Sequence, residues 1–192
     1  VLSTGQQCVV GIEALADAGA TRVGAVIPEE RLTRLLRAAS VTALTDRALN
    51  SMARGRRTRR ELEVRLRRHE PDPRLIAEAL DRLEASGLLS DAEVARAEAE
   101  SRLRRGEAPG RVRQTLRRKG IDARGAEEAL SQAVEADGFD EVEACRRQAE
   151  RRQRALASLE PAVAHRRLMA FLLRRGFSGA VVRRVLETMK RS

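Results

Sequence analysis

The chain has no tryptophan and no tyrosine, and only three phenylalanines among its 192 residues. A protein that grips single-stranded nucleic acid by stacking bases needs more rings than that. Phe139, Phe171 and Phe177 stand in packing or helix-end contexts. Cysteine is equally scarce: Cys8 and Cys145 are far apart and show no CxxC spacing. They read as two reduced thiols of a cytoplasmic protein rather than as a disulfide framework or a metal site. No apolar run approaches the ~18–20 residues that a membrane span requires. The N-terminal residues lack a basic stretch followed by an apolar one, so neither membrane association nor a signal peptide is expected.

Catalytic chemistry is missing as well. No phosphate loop GxxxxGK[ST], no HExxH and no GxSxG occurs, and no cluster has metal-ligand spacing. The two histidines, His69 and His165, stand alone on helical stretches, where a surface or partly packed role is the ordinary one. Carboxylates are plentiful, but nearly all lie beside an arginine at helical spacing, as solvated pairs do. The sequence predicts no enzyme, no cofactor and no metal.

What the chain does have is positive charge, +10 in all. Only Lys119 and Lys190 of its 38 basic residues are lysines, and part of that arginine excess reflects base composition rather than function. The charge is uneven. Residues 1–40 are neutral, 41–89 carry +3, 90–137 are neutral and 138–192 carry +7. A basic C-terminal third favours an acidic partner, either nucleic acid or an acidic protein face. The neutral third argues against a protein that coats a polyanion uniformly.

Residues 8–27 lean towards strand. Cys8–Leu15 and Arg22–Ile27, separated by an Ala/Gly-rich segment, predict a β-hairpin. Pro28, followed by Glu29 and Glu30, opens a helix to about Arg37. From Val41 only helical signals remain. Leu44, Ala48, Leu49 and Met52 form an apolar stripe that ends near Gly55. Thr58 and Glu61 make a capping box for a second helix with Leu62 and Leu66. After Pro71 and Pro73 comes a third stripe through Leu75, Ile76, Ala79, Leu80 and Leu83, ending at Gly87. The cycle recurs twice more, with breaks at Gly106, Gly120, Pro161 and Gly176. Leu66-Arg67-Arg68, Leu116-Arg117-Arg118 and Leu173-Arg174-Arg175 each close a helix, at spacings of 50 and 57 residues. A repeat of that length without strands reads as a tandem helical module whose open flanks are buried by stacking. The expected architecture is mostly α: an elongated array of three tandem three-helix repeats (41–89, 90–137 and 138–192), preceded by a small hairpin-plus-helix segment over 1–40.

The candidate binding residues are the basic clusters. Arg56, Arg57, Arg59 and Arg60 span a helix junction, and Arg67 and Arg68 follow. The second repeat brings Arg104, Arg105, Arg111, Arg113, Arg117, Arg118 and Lys119. The third brings Arg147, Arg151, Arg174 and Arg175. Guanidinium groups suit bidentate contacts with phosphate or carboxylate. For any single arginine a solvated helix face is the better reading. Recurrence of the Leu-Arg-Arg step favours a collective one, with cationic spots set at intervals along a repeating polyanion or a helical protein filament. Base-specific reading is disfavoured, since few Asn or Gln, Gln114 apart, are placed to meet base edges.

Several strings in this order resemble the RecX family, regulators of the RecA recombinase. They are Ala48-Leu49 through Arg60-Glu61-Leu62, Gly87-Leu88-Leu89-Ser90-Asp91 with Ala95, Gly106, Leu116-Arg117-Arg118-Lys119-Gly120-Ile121, and Phe171-Leu172-Leu173-Arg174-Arg175-Gly176-Phe177. Together they cover about residues 42–190. Val26-Ile27-Pro28-Glu29-Glu30 is similar to the longer N-terminal version of some members. Val94 departs from the family pattern, which usually has an aromatic residue after the Ser-Asp turn. The resemblance implies a non-enzymatic negative regulator, taken here as a monomer, that binds the RecA filament on single-stranded DNA in its helical groove. Such a protein inhibits ATP hydrolysis and strand exchange, limits filament growth, and binds DNA weakly and without sequence preference. The alternative is a helix-turn-helix-like, sequence-nonspecific DNA-binding or architectural protein.

Overall fold

Apolar stripes at helical spacing, separated by Gly, Pro and capping residues, dictate a helical chain. The computed structural model describes residues 7–191, and among the described residues it contains ten α-helices and no strand. In chain order they are α1 (Ile12–Asp17), α2 (Glu29–Met52), α3 (Arg59–Leu66), α4 (Pro73–Ala85), α5 (Asp91–Arg104), α6 (Pro109–Arg118), α7 (Ala123–Asp137), α8 (Glu141–Arg154), α9 (Pro161–Arg174) and α10 (Gly179–Arg191). The chain divides into two compact units, one ending at Asp91 and one beginning at Ala92.

In unit 1 the expected hairpin is absent. The segment Ile12–Asp17 forms the short helix α1, and Val23 and Val26 are 105% and 94% exposed. The local reason is composition: Glu-Ala-Leu-Ala favours helix, and an isolated two-stranded ribbon is marginal without a face to pack on. A second correction concerns the break expected between Arg37 and Val41. Helix α2 runs unbroken through 24 residues, since Ala38-Ala39-Ser40 offers neither Pro nor Gly to stop it. Thr42 and Thr45 bond back to the carbonyls of Ala38 and Val41, each at 2.9 Å. The core gathers Val41, Leu44 and Ala48 from α2, Leu62 and Leu66 from α3, and Ile76, Ala79, Leu80 and Leu83 from α4. The Thr58–Glu61 capping box forms as its spacing predicts, with both reciprocal bonds made.

Unit 2 has two cores that meet. One joins Ala95, Ala99 and Leu103 of α5, Val112 and Leu116 of α6, and Ala126, Ala129, Leu130 and Ala133 of α7. The other joins Ala144, Cys145 and Ala149 of α8, Leu168 and Leu172 of α9, and Val182, Val185 and Leu186 of α10. Phe139 packs against both. Ala95 and Ala99, one turn apart on α5, are wholly buried, so a core poor in aromatics still excludes water.

The middle helices α3, α6 and α9 end alike, but the third match is shifted by one residue relative to the Leu-Arg-Arg reading. Leu66, Leu116 and Leu172 are the buried leucines that end each middle helix, whereas Leu173 is 46% exposed. The amide of Ile121 donates to the Leu116 carbonyl at 3.1 Å, and that of Phe177 donates to Leu172 at 3.3 Å. Six residues beyond each buried leucine stand Asp72, Asp122 and Ser178, whose side chains accept from the first turns of α4, α7 and α10. The intervals are therefore 50 and 56 residues. Arg174 matches Arg118, and Arg175 matches Lys119. Leu173 takes the place of Arg117.

Candidate functional site

The basic residues divide by what their charge already meets. Arg59 is structural: its guanidinium bonds to Asp81 at 2.7 Å and to Glu84, and its amide donates to Asp91 at 2.7 Å. Arg113 is bound to Glu127 at 2.7 Å, Arg67 to Glu63 at 3.5 Å and Arg104 to Glu100 at 3.8 Å. Lys119 reaches Glu98 at 3.4 Å, and Arg118 donates to the Thr115 hydroxyl at 3.3 Å. Arg56, Arg60, Arg68, Arg117, Arg147 and Arg151 are exposed, and Arg57 is half-buried with no partner for its Nε.

Four of the sequence-predicted residues converge. Arg105, just past the end of α5, and Arg111, in the first turn of α6, line a cleft of unit 2 with Arg174, the last residue of α9, and Arg175, which follows it. None of the four makes an ion pair with a carboxylate among the described residues. The cleft encloses about 610 Å³, and Ala108, Phe177 and Phe171 form its apolar part. Phe171 carries guanidinium groups from two directions, with Arg175 5.2 Å and Arg152 5.4 Å from its ring centre. Such contacts fix an arginine without neutralising it.

The wall of the cleft is held by a part-buried network. Arg102 bonds to Glu98 at 2.6 Å and to Glu107 at 2.9 Å, and Glu98 also faces Lys119. Burial alone would raise the Glu98 carboxyl. The hydrogen bond from Arg102 and the charges of Lys119 and Arg102 outweigh it and hold the group below the usual carboxylate range. Glu107, the one carboxylate in the lining, is thereby tied to Arg102.

Close backbone contact sets the cleft's width. The amide of Gly110 donates to the carbonyl of Gly176 at 3.1 Å, and the amide of Arg111 to that of Ala108 at 2.9 Å. Those N–H groups are thus occupied, and the side-chain donors in the lining are guanidinium groups and the Gln148 amide. Their arrangement suits multidentate capture of carboxylate or phosphate oxygens. Among the described residues no group of His, Cys, Asp and Glu could hold a metal, and no helix is long and apolar enough to cross a membrane.

All four convergent arginines are candidates from the sequence, but nothing there separates them from the paired ones. Phe171 and Gln148, not among those candidates, also line the cleft. Phe171 had a legible signal, as one of three aromatic residues in the chain, set three residues before Arg174. Gln148 had none.

Residues 90–130 match the family model described as RecX, second three-helix domain, and residues 140–186 match RecX, third three-helix domain. The chain is 38% identical over 163 residues to the regulatory protein RecX of Deinococcus radiodurans, covering 81% of this chain and 71% of that one. It is 37% identical over 145 residues to the regulatory protein RecX of Halorhodospira halophila, covering 76% and 87%. Two crystal structures share its fold. One is of a regulatory protein RecX, with TM-score 0.80, 20% identity and coverage of 93% and 86%. The other is of RecX from Lactobacillus salivarius, with TM-score 0.70, 23% identity and coverage of 80% and 98%. With more than a third of the aligned residues identical across most of both relatives, the chain belongs to the RecX family of regulatory proteins.

Proposed function

We propose that the protein is a negative regulator of RecA that binds the RecA filament on single-stranded DNA, in its groove, through the arginine cleft of unit 2. Family membership supplies the class of partner. The observation that carries the reading is the convergence of Arg105, Arg111, Arg174 and Arg175 with no carboxylate partner of their own. Four uncompensated guanidinium groups beside an apolar floor form a receptor for acidic side chains on a protein surface, with the floor adding contact area. On this reading binding inhibits ATP hydrolysis and strand exchange and limits filament growth.

Arg56, Arg60, Arg68, Arg117, Arg147 and Arg151 add long-range attraction. Arg59, Arg67, Arg104, Arg113, Arg118 and Lys119 support the fold and contribute less. The second reading, weak sequence-nonspecific DNA binding by a monomer, draws on the same free arginines.

The test is RecA's single-stranded-DNA-dependent ATP hydrolysis, with the protein titrated in at fixed moderate salt and DNA in excess. Inhibition at substoichiometric protein is expected. No inhibition at stoichiometric amounts would sink the proposal. Inhibition only once the DNA is saturated would give the lead to DNA binding.

A further inference from the structure

Unit 1 holds a second basic cavity, of about 250 Å³, built by two helix faces at matched spacing. Arg47, Asn50 and Ser51 of α2, with Arg54 just beyond it, fall at i, i+3, i+4 and i+7. Leu62, Arg65 and Leu66 of α3, with His69 just beyond it, fall at the same intervals and complete the lining with Ala48. Ala48, Leu62 and Leu66 are buried and form the floor. No carboxylate lines the cavity, and Arg47, Arg65 and His69 make no ion pair among the described residues.

The informative atom is the Ser51 hydroxyl. Ser51 is only 9% exposed, and its Oγ has no hydrogen-bond partner. Thr42 and Thr45, earlier on the same helix, return their hydroxyls to the carbonyl four residues back. Ser51 does not. A buried hydroxyl without a partner is unfavourable, and such atoms in native proteins call for an explanation. Cations near a helix C-terminus complement its dipole. Arg54 plays that part, donating its Nε to the Asn50 carbonyl at 3.2 Å. The dipole does not account for the orphaned hydroxyl, nor for Arg47, which stands more than a turn before the end of α2.

We propose that this pocket binds a phosphate group in the form of a phosphomonoester, such as a terminal phosphate of a DNA strand. Arginine forks match phosphate oxygens, and the Ser51 hydroxyl, closed off from the cavity in the unliganded fold, adds a short donor once its side chain turns towards the ligand. Three guanidinium groups suit a dianion better than the single charge of a mid-chain diester. No aromatic side chain lines the cavity, so the ligand is recognised by its phosphate and not by a base. The pocket is built by unit 1 alone and the arginine cleft by unit 2 alone, so it stands or falls independently of the RecA reading.

The test is nuclear magnetic resonance on the full 15N-labelled chain, titrated with inorganic phosphate against chloride at equal ionic strength. A parallel binding assay compares short single strands bearing terminal phosphates with the same strands ending in hydroxyls. Saturable shifts at Ser51 and at the Arg47 and Arg65 side chains are expected with phosphate alone, together with roughly tenfold tighter binding of the phosphorylated strand. Saturable shifts with equal binding of both strands would uphold the phosphate site and assign it to free phosphate. Shifts no larger than those from chloride, with both strands bound alike, would overturn the proposal and leave the cations as helix-end counterions. The double variant Arg47→Gln/Arg65→Gln should abolish the phosphate response. If it fails to fold, Ser51→Ala, which removes an unpaired hydroxyl, should weaken phosphate binding severalfold while leaving RecA inhibition unchanged.

Discussion

A Cβ on Gly110 would stand 2.5 Å from the carbonyl oxygen of Gly176, the same oxygen that accepts the Gly110 amide. A Cβ on Gly176 would meet the Arg111 amide nitrogen at 2.6 Å. Only two glycines allow α6 to start this close to the turn after α9, and that contact brings Arg111 alongside Arg174 and Arg175.

Gly110→Ala should therefore lower stability by about 2–3 kcal/mol, because rigid backbone must move. Gly176→Ala should cost about 2–4 kcal/mol, since its φ of +93° adds left-handed strain. Gly106 is the control, with φ +73° and nothing within 4 Å of its added Cβ, so alanine there should cost about 1 kcal/mol. Urea unfolding of the three variants checks the order. Equal losses at Gly106 and Gly110 would refute a packing origin.

Reversal of the free arginines should separate from removal of the paired ones. Arg174→Glu/Arg175→Glu should weaken filament binding at least tenfold with helicity retained, because neither side chain bonds to a carboxylate among the described residues. Arg59→Ala should instead lower stability by about 0.5–1 kcal/mol, since it removes ion pairs to the solvent-exposed Asp81 and Glu84, and should leave binding nearly intact. Binding assays beside circular dichroism decide it. Unimpaired binding by the double reversal would remove the cleft from the interface.

The repeat's true register makes a sharp pair. Leu172→Ala should cost about 2–5 kcal/mol, as burial of a core leucine dictates. Leu173→Ala should change stability by no more than about 0.5 kcal/mol. Thermal or urea denaturation distinguishes the two at once, and a larger loss at Leu173 would restore the 57-residue spacing.

That register shows what the sequence could and could not disclose. Stripe, break and cap carry local information, so Thr58–Glu61, Asp122 and the middle helices were legible residue by residue. The triplet Leu-Arg-Arg was misleading because Leu172-Leu173 offers two candidates, and only packing decides which one is buried. The N-terminal segment failed for a related reason. Short β-leaning runs suggest strands, but a strand needs a partner, and none is present among the described residues. Arginines are harder still. Whether one is free or paired depends on carboxylates far along the chain, such as Glu84 for Arg59 or Glu127 for Arg113, and periodicity does not encode those meetings.

The Glu98 network makes unit 2 sensitive to acid. The folded carboxyl lies below its ordinary value of 4.5, so its ionised form is favoured by folding. The stabilisation is complete above the unfolded value and is lost as pH falls through the folded one. Glu98→Gln should cost about 1 kcal/mol at pH 7, and the difference from the unmodified protein should vanish in strong acid. Urea midpoints of both proteins from pH 7 down to pH 3 measure it. A gap that stays constant with pH would mean that Glu98 acts through shape alone.

The two cysteines should differ in kind. Cys145 is wholly buried in the α8–α10 core, and burial, with the charge of Glu141 beside it, pushes its thiol up to about 11. At pH 8 only about one thousandth of it would be thiolate even if reagent could reach it. Cys8 is half-buried on the segment before α1. Titration of the folded protein with a thiol-reactive disulfide should therefore label Cys8 readily and Cys145 only as fast as unit 2 opens, with the second label becoming rapid in denaturant. The Cys145 rate in water should rise in step with destabilisation by Leu172→Ala, because exposure rather than chemistry limits it. Prompt labelling of both thiols in the folded protein would mean that the α8–α10 core opens far more readily than its packing implies.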